Sequence, residues 1–103
     1  SNLGLAMRAG KIVSGEDGVL EALKTRKAAL VVLAADASDN TRKKFRDKCR
    51  YYQVPLIETG SRNELGRSIG KTERVILAVT DPGFAKLIMK EADHAETADH
   101  TEL

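Results

Sequence analysis

The chain has 103 residues and a formal net charge of +2, enough for one hydrophobic core and too short for two ordinary domains. No apolar run approaches the roughly 20 residues of a membrane-spanning helix, and the single Cys49 excludes an internal disulfide and fits the reducing cytoplasm. All 17 Lys and Arg lie in residues 1–90 beside ten acids, a local charge of +7, whereas the last thirteen residues hold five acids and neither Lys nor Arg.

In chain order, Leu3, Leu5, Ala6 and Met7 predict a short opening helix, with Ser1 and Asn2 given no role. Ile12-Val13 suggests a very short strand. Ser14 then caps a helix patterned by Val19, Leu20 and Leu23, with Asp17 in its first turn and Lys24, Arg26 and Lys27 at its end. Those charges complement the helix dipole at both ends. Ala29–Ala34 is a continuous apolar run, read as a strand covered on both faces. Ser38 or Asp39 caps the next helix, whose Phe45, Cys49 and Tyr52 share a face. Val54–Ile57 predicts another strand. Ser61 and Glu64 form a capping box, and Gly70 supplies the left-handed stop. Val75–Val79 is the last strand, and Asp81-Pro82 opens a helix carrying Phe84, Leu87, Ile88 and Glu91.

This alternation predicts an α/β fold, a three-layer α/β/α sandwich around a small, four-stranded mixed sheet. One domain is expected over residues 1–92, followed by an acidic, disordered tail over 93–103.

Catalytic and metal chemistry find little support. His94 and His100, the only histidines, both fall in the expected tail, so no Ser–His or Cys–His pair forms in the body and no zinc-type spacing occurs. Cys49 repeats with Phe45 on one helix face, as a small core residue does. Gly60 to Gly66 lacks both the spacing and the Lys-Ser/Thr ending of a phosphate-binding loop. Asp36 ends a strand, where a turn role is the commoner use of an aspartate. The expectation is a protein that is no enzyme and needs no cofactor or metal.

Two places suit nucleic acid. In the basic stretch 42–50, Lys43, Arg46 and Arg50 fall on one outward strip of a helix, able to follow a phosphate backbone; a solvated helix face explains them too. Tyr51 and Tyr52 offer rings for base stacking, one of them expected in the core. The second place is Lys11 through Ser14, Gly15, Glu16, Asp17 and Gly18. Here a helix N-terminus presents backbone N–H groups and Gly15 permits close approach; the same residues also merely turn the chain. A basic body suits an anionic partner, and an excess of solvated lysines explains the charge equally well.

Four pieces in order resemble the kink-turn-binding ribosomal-protein family, which includes large-subunit ribosomal proteins 7Ae and 30e, and its short bacterial members most. They are Ala9-Gly10-Lys11 with Ser14-Gly15; Ala28 to Asp36 and Ser38; Val54-Pro55 through Glu64-Leu65-Gly66 to Gly70; and Arg74 to Val79 with Asp81 to Lys86. The resemblance implies the same α/β/α sandwich and a non-catalytic, monomeric binder of structured ribosomal or other non-coding RNA, working in the cytoplasm with the ribosome, translation proteins or RNA processing. It places the RNA surface at the helix opening after the first strand and in a later loop, here Thr72, Glu73 and Arg74. The family's opening motif reads roughly Gly-x-Asn-Glu-x-x-Lys. Gly15 matches it, while Asp17 stands for asparagine, Gly18 for glutamate and Glu21 for lysine. Aspartate offers acceptors only, and Glu21 moves the local charge by −2, so these departures weaken the implied kink-turn reading. The alternative they favour is a protein-interaction adaptor that kept the fold and lost RNA binding.

Overall fold

The computed structural model describes residues 1–102, and side-chain surroundings for residues 1–93. Five helices and four strands alternate: α1 (Asn2–Arg8), β1 (Ile12–Ser14), α2 (Glu16–Lys24), β2 (Leu30–Leu33), α3 (Asp39–Tyr52), β3 (Leu56–Glu58), α4 (Arg62–Ser68), β4 (Ile76–Val79) and α5 (Pro82–Glu102). The sheet order is β1-β4-β2-β3. β4 runs antiparallel to both neighbours, pairing Val13 with Ala78 on one side and Val31 with Ala78 on the other, whereas β2 and β3 are parallel, with Val32 opposite Ile57.

The two central strands are buried along their whole length, as their unbroken apolar runs predict. Successive side chains alternate between two cores. Val31, Leu33, Ile76 and Ala78 pack with Val19, Leu23, Phe45 and Cys49 from α2 and α3. Leu30, Val32, Leu77 and Val79 pack with Leu65, Ile69, Ala85 and Ile88 from α4 and α5, and Leu3 and Met7 of α1 lie against this second core. The result is the expected three-layer sandwich with a four-stranded mixed sheet. Among the described residues, no helix is long and apolar enough to cross a membrane.

Local corrections follow from pairing. Ser14 belongs to β1, opposite Leu77, so the turn into α2 falls on Gly15 and no serine caps that helix. β3 begins two residues into its apolar run and ends one residue beyond it, because Pro55 has no N–H and only its carbonyl is used, accepting from the Val31 amide at 2.9 Å. As an edge strand, β3 is also only partly covered. Ser1, given no role above, caps α1 by accepting from the Gly4 amide. Helix α5 continues past Ala92 to Glu102, where the apolar pattern has stopped. Ala95, Glu96 and Ala98 favour helix, and no Gly or Pro follows Gly83 to end it. Leu103 and the side chains of residues 94–103, with both histidines, lie outside the described residues.

Candidate nucleic-acid interface

The chain crosses one end of the sheet four times. β1, β2 and β3 leave there, each followed by a helix, and the strand-preceding loop 71–75 returns there into β4. The openings of α2, α3 and α4 are therefore gathered at this end. Two of them are closed by side chains. Ser38 accepts from the Thr41 amide at 3.2 Å. Ser61 accepts from Glu64 while the Glu64 carboxylate accepts from Ser61, and the Arg62 amide donates to Asp36 Oδ1 at 2.9 Å. Asp36 thus ties the end of β2 to the entry of α4.

The opening of α2 differs. Gly15 sits at φ 91 and ψ 157, a region that essentially only glycine occupies, and no side chain caps the first turn. The Gly15 amide itself donates to the Ile76 carbonyl at 3.1 Å, which fixes the turn against the start of β4. A Cβ built on Gly15 meets nothing within 4 Å. The remaining first-turn donors stand beside two exposed carboxylates, Glu16 and Asp17. Backbone N–H donors with carboxylate acceptors suit a base edge, which carries both kinds of group, better than a phosphate, which only accepts.

Loop 71–75 adjoins this opening. Its backbone lies on α4, since a Cβ on Gly66 would come within 1.6 Å of the Thr72 carbonyl oxygen. The Arg74 amide donates to the Arg62 carbonyl at 2.9 Å. The Arg74 guanidinium folds back on its own loop, donating to Thr72 Oγ1 and to the Glu73 carbonyl, so it braces the loop beside exposed Thr72 and Glu73. Gly15, Glu16, Asp17 and the end of this loop are thus brought together.

Other predicted residues behave differently. Lys11 lies at the far end of β1, where its carbonyl accepts from the Thr80 amide, roughly 13 Å along the strand from Gly15. Glu21 is exposed, one turn along α2. The Cα of Gly18 faces β1, and a Cβ there would stand 2.6 Å from Val13 Cγ1. The strip on α3 is partly neutralised. Arg46 makes a two-pronged pair with Glu58 at 2.7 Å, and Arg50 lies 3.5 Å from Asp47, leaving Lys43 without an ion pair among the described residues. The hydrogen bond with Arg46 holds the Glu58 carboxyl below, and the Arg46 guanidinium above, its ordinary pKa.

Sequence reasoning missed Glu58 and Lys44. Lys44 reaches Glu16 at 3.4 Å and so links α3 to the α2 opening. Nothing local in the sequence signals either pair, because both depend on how the helices pack. Cys49 is buried, and burial pushes its thiol up to about 11, which keeps it protonated and inert. Among the described residues no His, Cys, Asp and Glu group is arranged to hold a metal.

Residues 1–89 match the model of the Ribosomal protein L7Ae/L30e/S12e/Gadd45 family. The chain is similar to RNA-binding protein YlxQ of Bacillus subtilis, 55% identical over 91 residues, covering 88% of this chain and 91% of the relative. It is 36% identical over 95 residues to large ribosomal subunit protein eL30 of Spodoptera frugiperda, covering 85% and 80% of the two chains. A solved Bacillus halodurans structure, described as a protein of unknown function, superposes with a TM-score of 0.87 at 43% identity, covering 89% of this chain and 93% of that one.

Proposed function

Because the chain belongs to the Ribosomal protein L7Ae/L30e/S12e/Gadd45 family, we propose that it binds structured RNA without catalysing a reaction, through the α2 opening and the loop 71–75. The observation that carries this reading is the uncapped first turn of α2 beside two carboxylates, at an end where the other two helix openings are closed by serines. No side chain accepts from the first-turn amides of α2, so they are left to donate to base or ribose acceptors, while Asp17 accepts from base amino groups. Cations of the +7 body supply the salt-dependent share of affinity. The setting we propose is cytoplasmic, with ribosomal or other non-coding RNA, and with the protein acting as a monomer.

The test is titration of a fluorescent kink-turn hairpin and a plain duplex of equal length at low and moderate salt. Binding in the micromolar range or tighter, weakening steeply with salt, is expected. Gly15→Ala places a methyl group on the approach and should weaken binding about tenfold, the order of one lost base contact. Gly10→Ala, also at positive φ but beside Lys11 at the far end of β1, should leave affinity unchanged. No binding at low salt would overturn the reading. The neutralised Arg46 and the exposed Glu21 favour the protein-adaptor alternative, which the same negative result would support.

A further inference from the structure

The outer face of α3 carries a second feature that the α2 site does not use. Lys44, Asp47, Lys48 and Tyr51 follow the i, i+3, i+4, i+7 spacing of one helix face, and with Tyr52 they line a shallow concavity of about 610 Å³. Tyr51 is 76% exposed, more than the exposed leucines Leu5 and Leu87 at 49% and 47%. Its ring is nevertheless held. The Tyr51 and Tyr52 ring centroids are 4.9 Å apart at an interplanar angle of 88°, and Tyr52 itself packs against the core beneath α2 and α3. Arg26 then pins Tyr52 from outside, donating to its carbonyl at 2.7 Å with the guanidinium 5.3 Å from the ring centre.

Lys44 and Lys48 line the same concavity as this ring, and Asp47 between them is already engaged by Arg50. The Lys44 pair with Glu16 is half-exposed and long at 3.4 Å, the kind of contact that water and salt compete with readily. A rigid, bare aromatic plane flanked by flexible cations is the arrangement that single-stranded nucleic acid uses, bases stacking on the ring and phosphates lying against the cations.

We propose that the Tyr51 face of α3 takes a single-stranded RNA segment, one base stacked on Tyr51 and its phosphates on Lys44 and Lys48. This rests on the RNA reading above and extends it. Lys44 adjoins the α2 opening, and Tyr51 lies seven residues along the helix, roughly 10 Å away, a reach of one or two nucleotides. A strand leaving the structured RNA at α2 thus meets Tyr51 next. Stacking of this kind tolerates any base, because every base has a π face.

The experiment titrates the full chain with a fluorescent kink-turn hairpin, blunt or carrying a single-stranded extension of about ten uridines. The extension should strengthen binding about tenfold. Tyr51→Ala should abolish that gain while leaving the blunt hairpin's affinity and the melting temperature unchanged, and Tyr51→Phe should keep the gain to within about twofold. Lys48→Ala should reduce the salt slope by about one, on the extended RNA only. A gain that survives Tyr51→Ala overturns the proposal, as does displacement of the extension by poly-glutamate as readily as by unlabelled oligouridine, which would mark a surface for acidic peptide. If the blunt hairpin binds and the extension adds nothing, this inference falls and the α2 reading stands. If neither RNA binds, both fall.

Discussion

Helices α2 and α4 begin at the same end of one sheet, and they are finished in opposite ways. In α4 the first turn is closed by its own sequence: Ser61 and Glu64 satisfy each other's amides, Asp36 takes that of Arg62, and Gly66 lets the loop 71–75 lie directly on the helix. In α2 a glycine at φ 91 makes the turn, no side chain caps it, and open space lies over the turn. The same backbone need is met from within in one helix and left to solvent or a ligand in the other. A glycine N-cap costs only a few tenths of a kcal/mol against a serine, so α2 forgoes a little stability where contact is proposed.

The two openings should respond differently to one methyl group. Gly66→Ala puts a Cβ within 1.6 Å of a backbone carbonyl, which no side-chain rotation relieves. It should cost about 3 kcal/mol or more, or abolish folding, read by urea or thermal unfolding. Gly15→Ala meets no atom, and its cost is backbone strain alone, about 1–3 kcal/mol. Its larger consequence should be in RNA affinity. If Gly15→Ala proves as destabilising as Gly66→Ala, the α2 opening is a structural turn like that of α4 and the contrast collapses.

Charge on α2 sharpens the contrast further. The combined change Asp17→Asn and Glu21→Lys restores the family's donor and cation without touching the packing of Gly18. It should raise affinity several-fold at low salt, with a slope steeper by about one, and favour a kink-turn over a duplex. Extending the change to Gly18→Glu carries a penalty, since its Cβ must displace Val13; about 1 kcal/mol of stability should be lost. Competition titration and thermal melting of the double and triple variants separate the two effects.

Much of this was legible in the sequence, for reasons that differ by element. The central strands are unbroken apolar runs because both faces are covered, and the Ser61–Glu64 box and Asp81-Pro82 are complete local signals; the Asp81 carboxylate accepts from the Phe84 amide at 2.9 Å. The bounds of β3 and the true start of α2 depend on which partner strand takes each carbonyl, a matter of register. The candidate site was only half legible. Motif picks out Gly15 and the loop before β4, which the fold brings together, but adjacency in sequence does not show that β1 carries Lys11 to the other end. The outward spacing of the α3 strip is legible in the sequence, but the hold on Arg46 by Glu58, twelve positions away on β3, depends on packing.

A smaller effect is expected from the acidic end. Truncation after Asp93 removes Glu96, Asp99 and Glu102 and leaves every core residue among the described residues in place. The melting temperature should move by about 2 °C or less, and RNA affinity should rise about twofold as repulsion is relieved. A large fall in melting temperature would mean that residues 94–103 pack on the body, contrary to the division of the chain at residue 92.

The smallest expected effect, and the most specific, concerns Arg46 and Glu58. Glu58→Gln leaves the shape of the edge strand intact and frees Arg46 to meet phosphate, as Lys43, without an ion pair among the described residues, already can. RNA binding should therefore gain up to about one contact's worth of salt slope, in contrast to the loss expected from Gly15→Ala. Stability should move the other way. Arg46, through its hydrogen bond first and its charge second, with a contribution from Arg42, holds the Glu58 carboxyl below the ordinary carboxylate range. A carboxylate with a depressed folded-state pKa contributes stability that is present above its unfolded pKa, near 4.3, and lost as pH falls through the folded value. At neutral pH the variant should melt slightly below the wild type, and the two curves should converge as pH falls below the depressed folded-state value. Arg46 is about half exposed, so the difference should shrink in high salt as well. Thermal melts across pH, paired with salt-dependent RNA titration at pH 7, decide the matter. A lower melting temperature with no gain in RNA binding would show that the strip of Lys43, Arg46 and Arg50 is an ordinary solvated face.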